Sequence, residues 1–103
     1  MISDIFDFQA LRYEENFVIK RYKTAAYRGQ LNIAKGCREG FGVLTAQNGR
    51  IYEGEWLGDK RNGQGYETYK TGNIYKGAFM NNKPHGKGHY TWYHGETYDG
   101  EWI

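Results

Sequence analysis

Aromatic residues and glycines alternate through most of the chain in a pattern that recurs every 23 residues. The segments YEGEW (52–56), YKGAF (75–79) and YDGEW (98–102) each place a ring, a glycine and a second ring at alternate positions. Side chains of a β-strand alternate between its two faces, so these three groups project from one face. The pattern therefore predicts a strand at each segment, with its rings on one side of a sheet and room at the glycine for a ring from a neighbouring strand.

Glycines also divide each repeated unit. The pair Gly63-x-Gly65 lies 11 and 13 positions after Tyr52, and Gly72 lies 20 positions after it. We interpret the pair as the bend that reverses the chain, and the following run YETYK as a second strand of aromatic and β-branched residues. Gly72 sits where a two-residue turn leads into the next unit. Each unit is thus predicted to be a hairpin, and consecutive hairpins to pair in one antiparallel sheet.

The same spacing can be followed towards the N-terminus. An earlier copy begins at Tyr27 with two extra residues near 32–34, and FVIKRY at 17–22 resembles half a unit. We therefore predict a sheet over residues 17–103, with a half unit at 17–26, units at 27–51, 52–74 and 75–97, and a partial unit at 98–103. Because the last unit stops after one strand, we expect either a longer parent chain or an edge completed by another molecule.

Residues 1–16 have a different pattern. Phe6, Ala10, Tyr13 and Phe17 lie at helical spacing, which predicts a short amphipathic helix that covers one face or the first strand. A disordered lead-in is the alternative, since isolated helices of this length are marginal.

Composition excludes several classes of protein. The 103 residues carry a net charge of only +2, which gives no argument for nucleic acid as the partner, and no apolar run has the length of a membrane span. No signal peptide is visible, and a single cysteine, Cys37, cannot form an internal disulfide. These features favour a cytoplasmic protein, with association to the cytoskeleton or to a membrane left open.

The unit Tyr-x-Gly-x-Trp, then Gly-x-Gly, then a further glycine resembles the MORN repeat (membrane occupation and recognition nexus) over residues 27–103. Leu31, in place of an aromatic residue, and Ala78, in place of an acidic one, depart from that pattern. The resemblance implies an all-β fold, a single-layer twisted antiparallel sheet with a groove. It also implies a binding or scaffolding module, because such repeats occur in cytoskeletal and ciliary proteins, membrane-junction proteins, phosphatidylinositol phosphate kinases and a SET-type methyltransferase.

The rings are predicted to fall into two sets. A structural ladder is expected from the first tyrosine and the glycine of each unit: Tyr27, Tyr52, Tyr75 and Tyr98 with Gly29, Gly54, Gly77 and Gly100. A single-layer sheet leaves one face less covered, and an open aromatic groove there would be a partner site. The residues expected to line it are Trp56, Tyr69, Phe79, Trp92 and Trp102.

Basic residues recur near the predicted bends. They are Lys35, Arg38, Lys60, Arg61, Lys83 and Lys87. Stacked in register, they would form a stripe able to contact anionic lipid headgroups, at about 1 kcal/mol per cation near the surface. The alternative is a set of solvated turns, with neighbouring acidic residues weakening the field.

The sequence gives little support for a catalytic site or a metal site. His85, His89 and His94 cluster in one unit, but on a bend and strand rather than at helical chelating spacing, and no base is evident for Cys37. We expect no catalytic residues, no metal and no cofactor. The leading hypothesis is a protein-interaction module that binds a peptide, a helix or a second copy through the groove or an open edge. The alternatives are a peripheral membrane adaptor and an accessory domain of a larger enzyme.

Overall fold

A computed structural model describes residues 16–103, which form eight strands. They are β1 (Phe17–Arg21), β2 (Ala25–Asn32), β3 (Cys37–Ala46), β4 (Ile51–Leu57), β5 (Lys60–Thr68), β6 (Ile74–Met80), β7 (Lys83–Thr91) and β8 (Thr97–Trp102). All eight pair antiparallel in one sheet, in the order of the chain. The prediction of a single antiparallel sheet of hairpins is confirmed.

The predicted helix over 1–16 lies outside the described residues except for its last position. Asn16 is in a turn, and its backbone carbonyl accepts a 2.9 Å hydrogen bond from the amide of Leu31. Phe17, the last member of the predicted helical stripe, begins β1 and pairs with Gln30.

Within the hairpins the chain reverses at the turns between paired strands, which have two residues in β4–β5 and β6–β7 and four (33–36) in β2–β3, and not at the Gly-x-Gly pairs as predicted. Gly58 and Asp59 connect β4 to β5 with φ values of 56° and 67°, as the mirror-image turns of tight hairpins require. Gly63 and Gly65 lie inside β5 instead. Gly63, with φ of 89°, faces Glu55 where the β4–β5 register shifts, so the pair marks a β-bulge.

The turns between hairpins lie where they were expected, but they are longer. The amide of Gly49 donates to the carbonyl of Ala46 at 3.0 Å, and the amide of Ala46 donates to the carbonyl of Arg50 at 2.8 Å. This is a three-residue loop with glycine at positive φ, here 96°. The turns at 69–73 and 92–96 repeat the same two hydrogen bonds.

The core of the described residues consists of rings on one face of the sheet. Five apolar side chains are buried: Tyr27, Tyr52, Trp56, Tyr75 and Phe79. Since the eight strands belong to one sheet, no second sheet within 16–103 covers these rings, and they bury one another. The functional question is therefore what else this face can contact.

Candidate functional site: the aromatic face

We call the face that carries the core rings the aromatic face. Its rings form a continuous row in the order Tyr27, Trp56, Tyr52, Phe79, Tyr75, Trp102 and Tyr98. Neighbouring ring centres lie 5.1 to 5.6 Å apart, with interplanar angles of 82° to 88°. This edge-to-face contact is the favoured geometry for aromatic pairs, and it links each hairpin to the next.

The tyrosines of the row lie across glycines of the neighbouring strand. A Cβ atom added to Gly65 would lie 2.5 Å from Cε1 of Tyr52, and one added to Gly54 would lie 2.6 Å from the Cα of Gly65. Glycine is therefore required here for space, since a ring fills the volume that a side chain would take. The rings and glycines of the sequence pattern are two halves of one contact.

Each tyrosine hydroxyl has the same partner. Tyr27, Tyr52, Tyr75 and Tyr98 donate to the backbone carbonyl three residues later, at 2.5 to 3.1 Å. In the first three cases this carbonyl lies at a register shift, where the ladder of backbone bonds is interrupted. Burial raises the pKa of the Tyr27 and Tyr52 hydroxyls, which keeps them protonated as donors.

Trp56 and Phe79 belong to this buried row. Each side chain is only 4 % exposed, and the indole Nε1 of Trp56 donates to the carbonyl of Gly42 at 3.2 Å. This corrects the prediction that both residues line an open groove. Although they project from the same face as Tyr69 and Trp92, the tyrosines of two adjacent hairpins enclose each of them.

A second group of rings on this face remains half-buried. This aromatic cluster consists of Tyr69, Tyr90, Trp92 and Trp102. The ring centre of Tyr90 lies 4.6 Å from that of Trp92, 5.6 Å from that of Trp102 and 6.0 Å from that of Tyr69. Within residues 16–103, the buried Nε1 of Trp102 has no hydrogen-bond partner. Three of the predicted groove residues thus come together around Tyr90, which the sequence analysis did not select.

Arginine side chains also pack against rings of the row. The guanidinium of Arg38 lies 4.5 Å from the centre of the Trp56 ring, and its Nε and Nη2 donate to Asp59 at 3.1 and 3.2 Å. Arg61 repeats the arrangement one hairpin later, over Phe79 and with Asn82 as acceptor. Each arginine therefore connects its own hairpin to the turn of the next.

Asp59 is held as an anion by this contact. The hydrogen bond from the backbone amide of Arg38, at 2.7 Å, is the largest cause that lowers the pKa of the Asp59 carboxyl, and the Arg38 side chain adds to it. Residues Arg38 and Arg61 were predicted to belong to a basic stripe for lipids. The structure places their guanidinium groups on the aromatic face, 21 % and 17 % exposed as side chains, and engaged with the adjacent turns.

Glu67 is a buried carboxylate in the same face. Its side chain is 3 % exposed and accepts from Arg50 at 2.6 Å and from Arg61. The equivalent positions in the neighbouring units are Leu44 and Tyr90, so the unit alignment contains one charged residue in an otherwise apolar column. This departure from the apolar column could have been recognised in the sequence as a candidate site residue. Neither Glu67 nor Arg50 was selected from it.

The edge formed by the turns inside the hairpins (33–36, 58–59 and 81–82) differs in chemistry from the aromatic face. This turn edge carries exposed aliphatic side chains, Ile33, Leu57 and Met80, each close in sequence to an exposed lysine, Lys35, Lys60 or Lys83. Lys87 is also exposed but lies in β7, opposite Glu101. The predicted basic stripe is therefore divided, with its lysines at or near this edge and its arginines on the aromatic face.

The remaining candidate residues do not converge. His89 lies 3.7 Å from Asp99 and His94 lies 3.0 Å from Glu96, and both pairs are solvent-exposed. No three His, Cys, Asp or Glu side chains of the described region are grouped as metal ligands would be. The described part of the chain also contains no helix with the length and apolar character needed to cross a bilayer.

Comparison with known protein families identifies the repeated unit. A family model described as MORN repeat matches residues 52–74 and 75–97. The chain carries two MORN repeats. In the structure they comprise β4–β5 and β6–β7, with the long inter-hairpin turns that follow each pair. A comparison with curated proteins finds no match.

MORN repeats are generally interaction or membrane-binding modules. Residues 27–46 lie outside the two matched repeats, but Tyr27 and Arg38 make the same contacts there as Tyr52 and Arg61 make in the first MORN repeat. The aromatic face is therefore continuous across matched and unmatched units, and any partner site on it can extend over both.

Proposed function

We propose that this chain is a non-catalytic interaction module, which binds a peptide or a helix of a partner protein on the aromatic face. The observation that carries the proposal is the aromatic cluster, in which the rings of Tyr69, Tyr90 and Trp92 contact one another in a row but remain half-buried. Rigid, partly exposed tyrosine and tryptophan side chains are the residues that most often dominate binding energy at protein interfaces. The proposal places the module in the cytoplasm, on a cytoskeletal or membrane-bound partner.

The cluster is suited to this role because its rings are less needed for folding than the buried row. Tyr52 and Tyr75 each contact rings of two hairpins, whereas Trp92, the first residue of the turn at 92–96, contacts Tyr90 in its own hairpin. A partner that covers Trp92 and Tyr69 would bury apolar surface at about 25 cal/mol per Å². It would also provide a second layer over the cluster, which a single sheet lacks.

The test is selection from a phage-displayed random peptide library with the whole chain as bait. A selected peptide is then synthesised with a fluorophore, and its Kd is measured by fluorescence anisotropy. Trp92→Ala is expected to weaken binding at least about tenfold, as loss of a central aromatic contact does. Tyr93→Ala is the matched control, because Tyr93 is the next residue and is 74 % exposed.

Urea unfolding of both variants separates binding from folding. Should Trp92→Ala prove unstable, Trp92→Leu retains an apolar side chain and serves in its place. Equal affinities for the Trp92 variant and the Tyr93 control, or a library that yields no binder, would contradict the proposal. Concentration-dependent dimerisation that depends on Trp92 would identify a second copy as the occupant instead.

A second candidate function is supported by the turn edge. Leu57 and Met80 are 58 % and 50 % exposed, and Lys60 and Lys83 are exposed beside them. Exposed aliphatic side chains flanked by cations are typical of protein edges that insert into the interface of an anionic bilayer. A peripheral membrane adaptor would use this edge and leave the aromatic face free.

Vesicle co-sedimentation tests that candidate. Binding to vesicles that contain phosphatidylserine should exceed binding to pure phosphatidylcholine, and the double variant Leu57→Ser, Met80→Ser should reduce it. Lys70→Glu is the control for Lys60→Glu, because Lys70 lies in the turn at the opposite edge. Equal loss from both charge reversals would indicate general attraction to the surface, and no specific role for the turn edge.

A further inference from the structure

A cavity of about 360 Å³ opens on the aromatic face, one hairpin before the aromatic cluster. Its lining includes Tyr52 and Trp56 together with Arg38, Arg50 and Arg61. We call it the arginine pocket. The lining is more polar than that of most small-molecule sites, with the two rings next to converging charged side chains, and the volume lies near the lower end of the usual range for binding pockets.

Charge in the arginine pocket is not balanced. Three guanidinium groups line it, but only two carboxylates, Asp59 and Glu67, which leaves a formal charge of +1. Asp59 is paired with Arg38. Glu67 accepts from both Arg50 and Arg61 through the same oxygen, Oε2, so a single carboxylate is shared by two cations. Partly buried charge of this kind is stabilised by a further opposite charge.

The excess positive charge of the pocket lies on Arg50. Arg61 donates through Nε, Nη1 and Nη2 to Asn82 and Glu67, and it is only 17 % exposed. Among residues 16–103, the Arg50 side chain makes one hydrogen bond, from Nη2 to Glu67. It is 44 % exposed and its guanidinium lies 5.5 Å from the centre of the Tyr69 ring. It therefore faces solvent beside the aromatic cluster, with most of its five N–H donors available to a carboxylate.

We infer that the arginine pocket binds an aspartate or glutamate side chain of the partner peptide, with Arg50 as the main contact. The inference rests on the proposed function and specifies its partner as an acidic segment. Contact between Arg50 and Tyr69 makes pocket and cluster neighbours, so one peptide can place an apolar side chain on the rings and a carboxylate in the pocket. The incoming carboxylate would complete an alternation of charges in the order Arg61, Glu67, Arg50 and ligand.

A peptide fits this position better than a membrane does. Two of the three arginines in the pocket, Arg38 and Arg61, are mostly covered, with side chains 21 % and 17 % exposed, so only Arg50 is open to a partner. The lysines and exposed aliphatic side chains that a flat bilayer would reach first are on the turn edge. Specific carboxylate recognition also favours the planar, bidentate guanidinium over the ammonium group of lysine.

The experiment compares matched variants and matched peptides. The peptides selected from the random library are expected to share an acidic residue at one position. Arg50→Gln should weaken a selected peptide at least about tenfold, as truncation of one partner of a close charge pair does. Lys70→Gln removes the same charge from the next turn and should change the affinity less than about twofold. The peptide with its acidic residue replaced by the amide should bind wild type and Arg50→Gln equally.

The Arg50→Gln variant is expected to fold, because Glu67 has a second partner. Arg61 remains paired with it when Arg50 is changed, and urea unfolding of Arg50→Gln should resemble that of wild type. Should Arg50→Gln unfold, Arg50→Lys keeps the charge. It should then bind the acidic peptide less well than wild type and the amide peptide equally well, because the fork of the guanidinium is lost.

The outcomes separate this inference from the function on which it rests. Selected peptides without a shared acid, or equal effects of Arg50→Gln and Lys70→Gln, would overturn the acidic preference and leave peptide binding in place. Absence of any binding peptide would overturn both. Loss of binding to phosphatidylserine vesicles in Arg50→Gln, with peptide affinity unchanged, would assign the pocket to a lipid headgroup and also overturn the inference.

Discussion

The hydroxyl of Tyr52 donates a 2.8 Å hydrogen bond to the backbone carbonyl of Glu55, three residues later in the same strand. At this point the register between β4 and β5 shifts, so that Gly54 faces Gly65 but Trp56 faces Arg61. The tyrosine ring thus covers the glycines, while its hydroxyl donates a hydrogen bond to the carbonyl that lies at the register shift. One side chain supplies both the packing and the hydrogen bond on which the bulge depends.

Loss of that hydroxyl should be measurable. Tyr52→Phe keeps the ring but leaves the Glu55 carbonyl without this donor, which should lower the free energy of unfolding by about 1–2 kcal/mol. Tyr98→Phe is the matched control, because Tyr98 makes the same bond at 3.1 Å but is 44 % exposed. Water can replace the donor there, so a loss below about 0.5 kcal/mol is expected from urea unfolding. Equal losses at both sites would contradict the role of burial.

Glycine at position 65 is required for space, whereas glycine at position 36 is required by the backbone. Gly65→Ala would place a methyl group against the Tyr52 ring, and we expect a loss of about 1–3 kcal/mol from overpacking. Gly36→Ala meets no atom within 4 Å but has φ of 74°, which should cost about 1–2 kcal/mol.

The two causes can be distinguished by substitution with asparagine, which tolerates positive φ. Gly36→Asn should cost less than Gly36→Ala in urea unfolding, while Gly65→Asn should cost at least as much as Gly65→Ala. A Gly65→Asn variant more stable than Gly65→Ala would show that the backbone, and not the Tyr52 ring, sets the requirement at this position.

Removal of the buried carboxylate should be more costly than removal of its exposed partner. Glu67→Ala leaves Arg61 partly buried without its anion, and we expect a loss of about 3 kcal/mol or more, as in other broken buried pairs. Arg50→Ala leaves Glu67 paired with Arg61, so about 1 kcal/mol or less is expected. Thermal unfolding of both variants at neutral pH provides the comparison. A larger loss in Arg50→Ala would mean that Arg50 is the principal partner of Glu67.

Stability in acid should depend on Asp59. Its folded pKa is lowered by hydrogen bonds from Arg38, so its contribution is present above the unfolded value, about 3.9, and is lost as pH falls through the lower folded pKa. Asp59→Asn should reduce the loss of stability below about pH 4 in unfolding curves recorded from pH 7 to pH 2. The variant should keep the geometry, since Asn82 holds Arg61 in the same way one hairpin later. An unchanged acid profile would exclude Asp59 as a source of the pH dependence.

The strands and most of the turns could be predicted because the residue pattern of each unit specifies them locally. Alternating rings and glycines at 52–56 determine which face a side chain occupies, and the 23-residue repeat determines that successive hairpins are alike. Positions such as Gly49 and Gly72, where the backbone needs positive φ, could also be recognised. The bend was misplaced because a glycine with positive φ serves a bulge as well as a turn, and only the pairing of Gly63 with Phe79 and its contact with Glu55 distinguish the two.

The sequence by itself determined the strands, their order and the face on which the rings lie, because side-chain alternation and turn chemistry are local properties. Tertiary structure alone decided which rings of that face are buried. Trp56 in β4 and Trp92, directly after β7, both lie an even number of residues along from a ring of this face, but only Trp56 is enclosed between the tyrosines of two hairpins. It also decided that Glu67 lies between two arginines, 6 and 17 residues away. The contact with Arg50 depends on how the turn before β4 lies against β5, and the contact with Arg61, in the same strand, spans the register shift between β4 and β5, which the spacing of residues does not show.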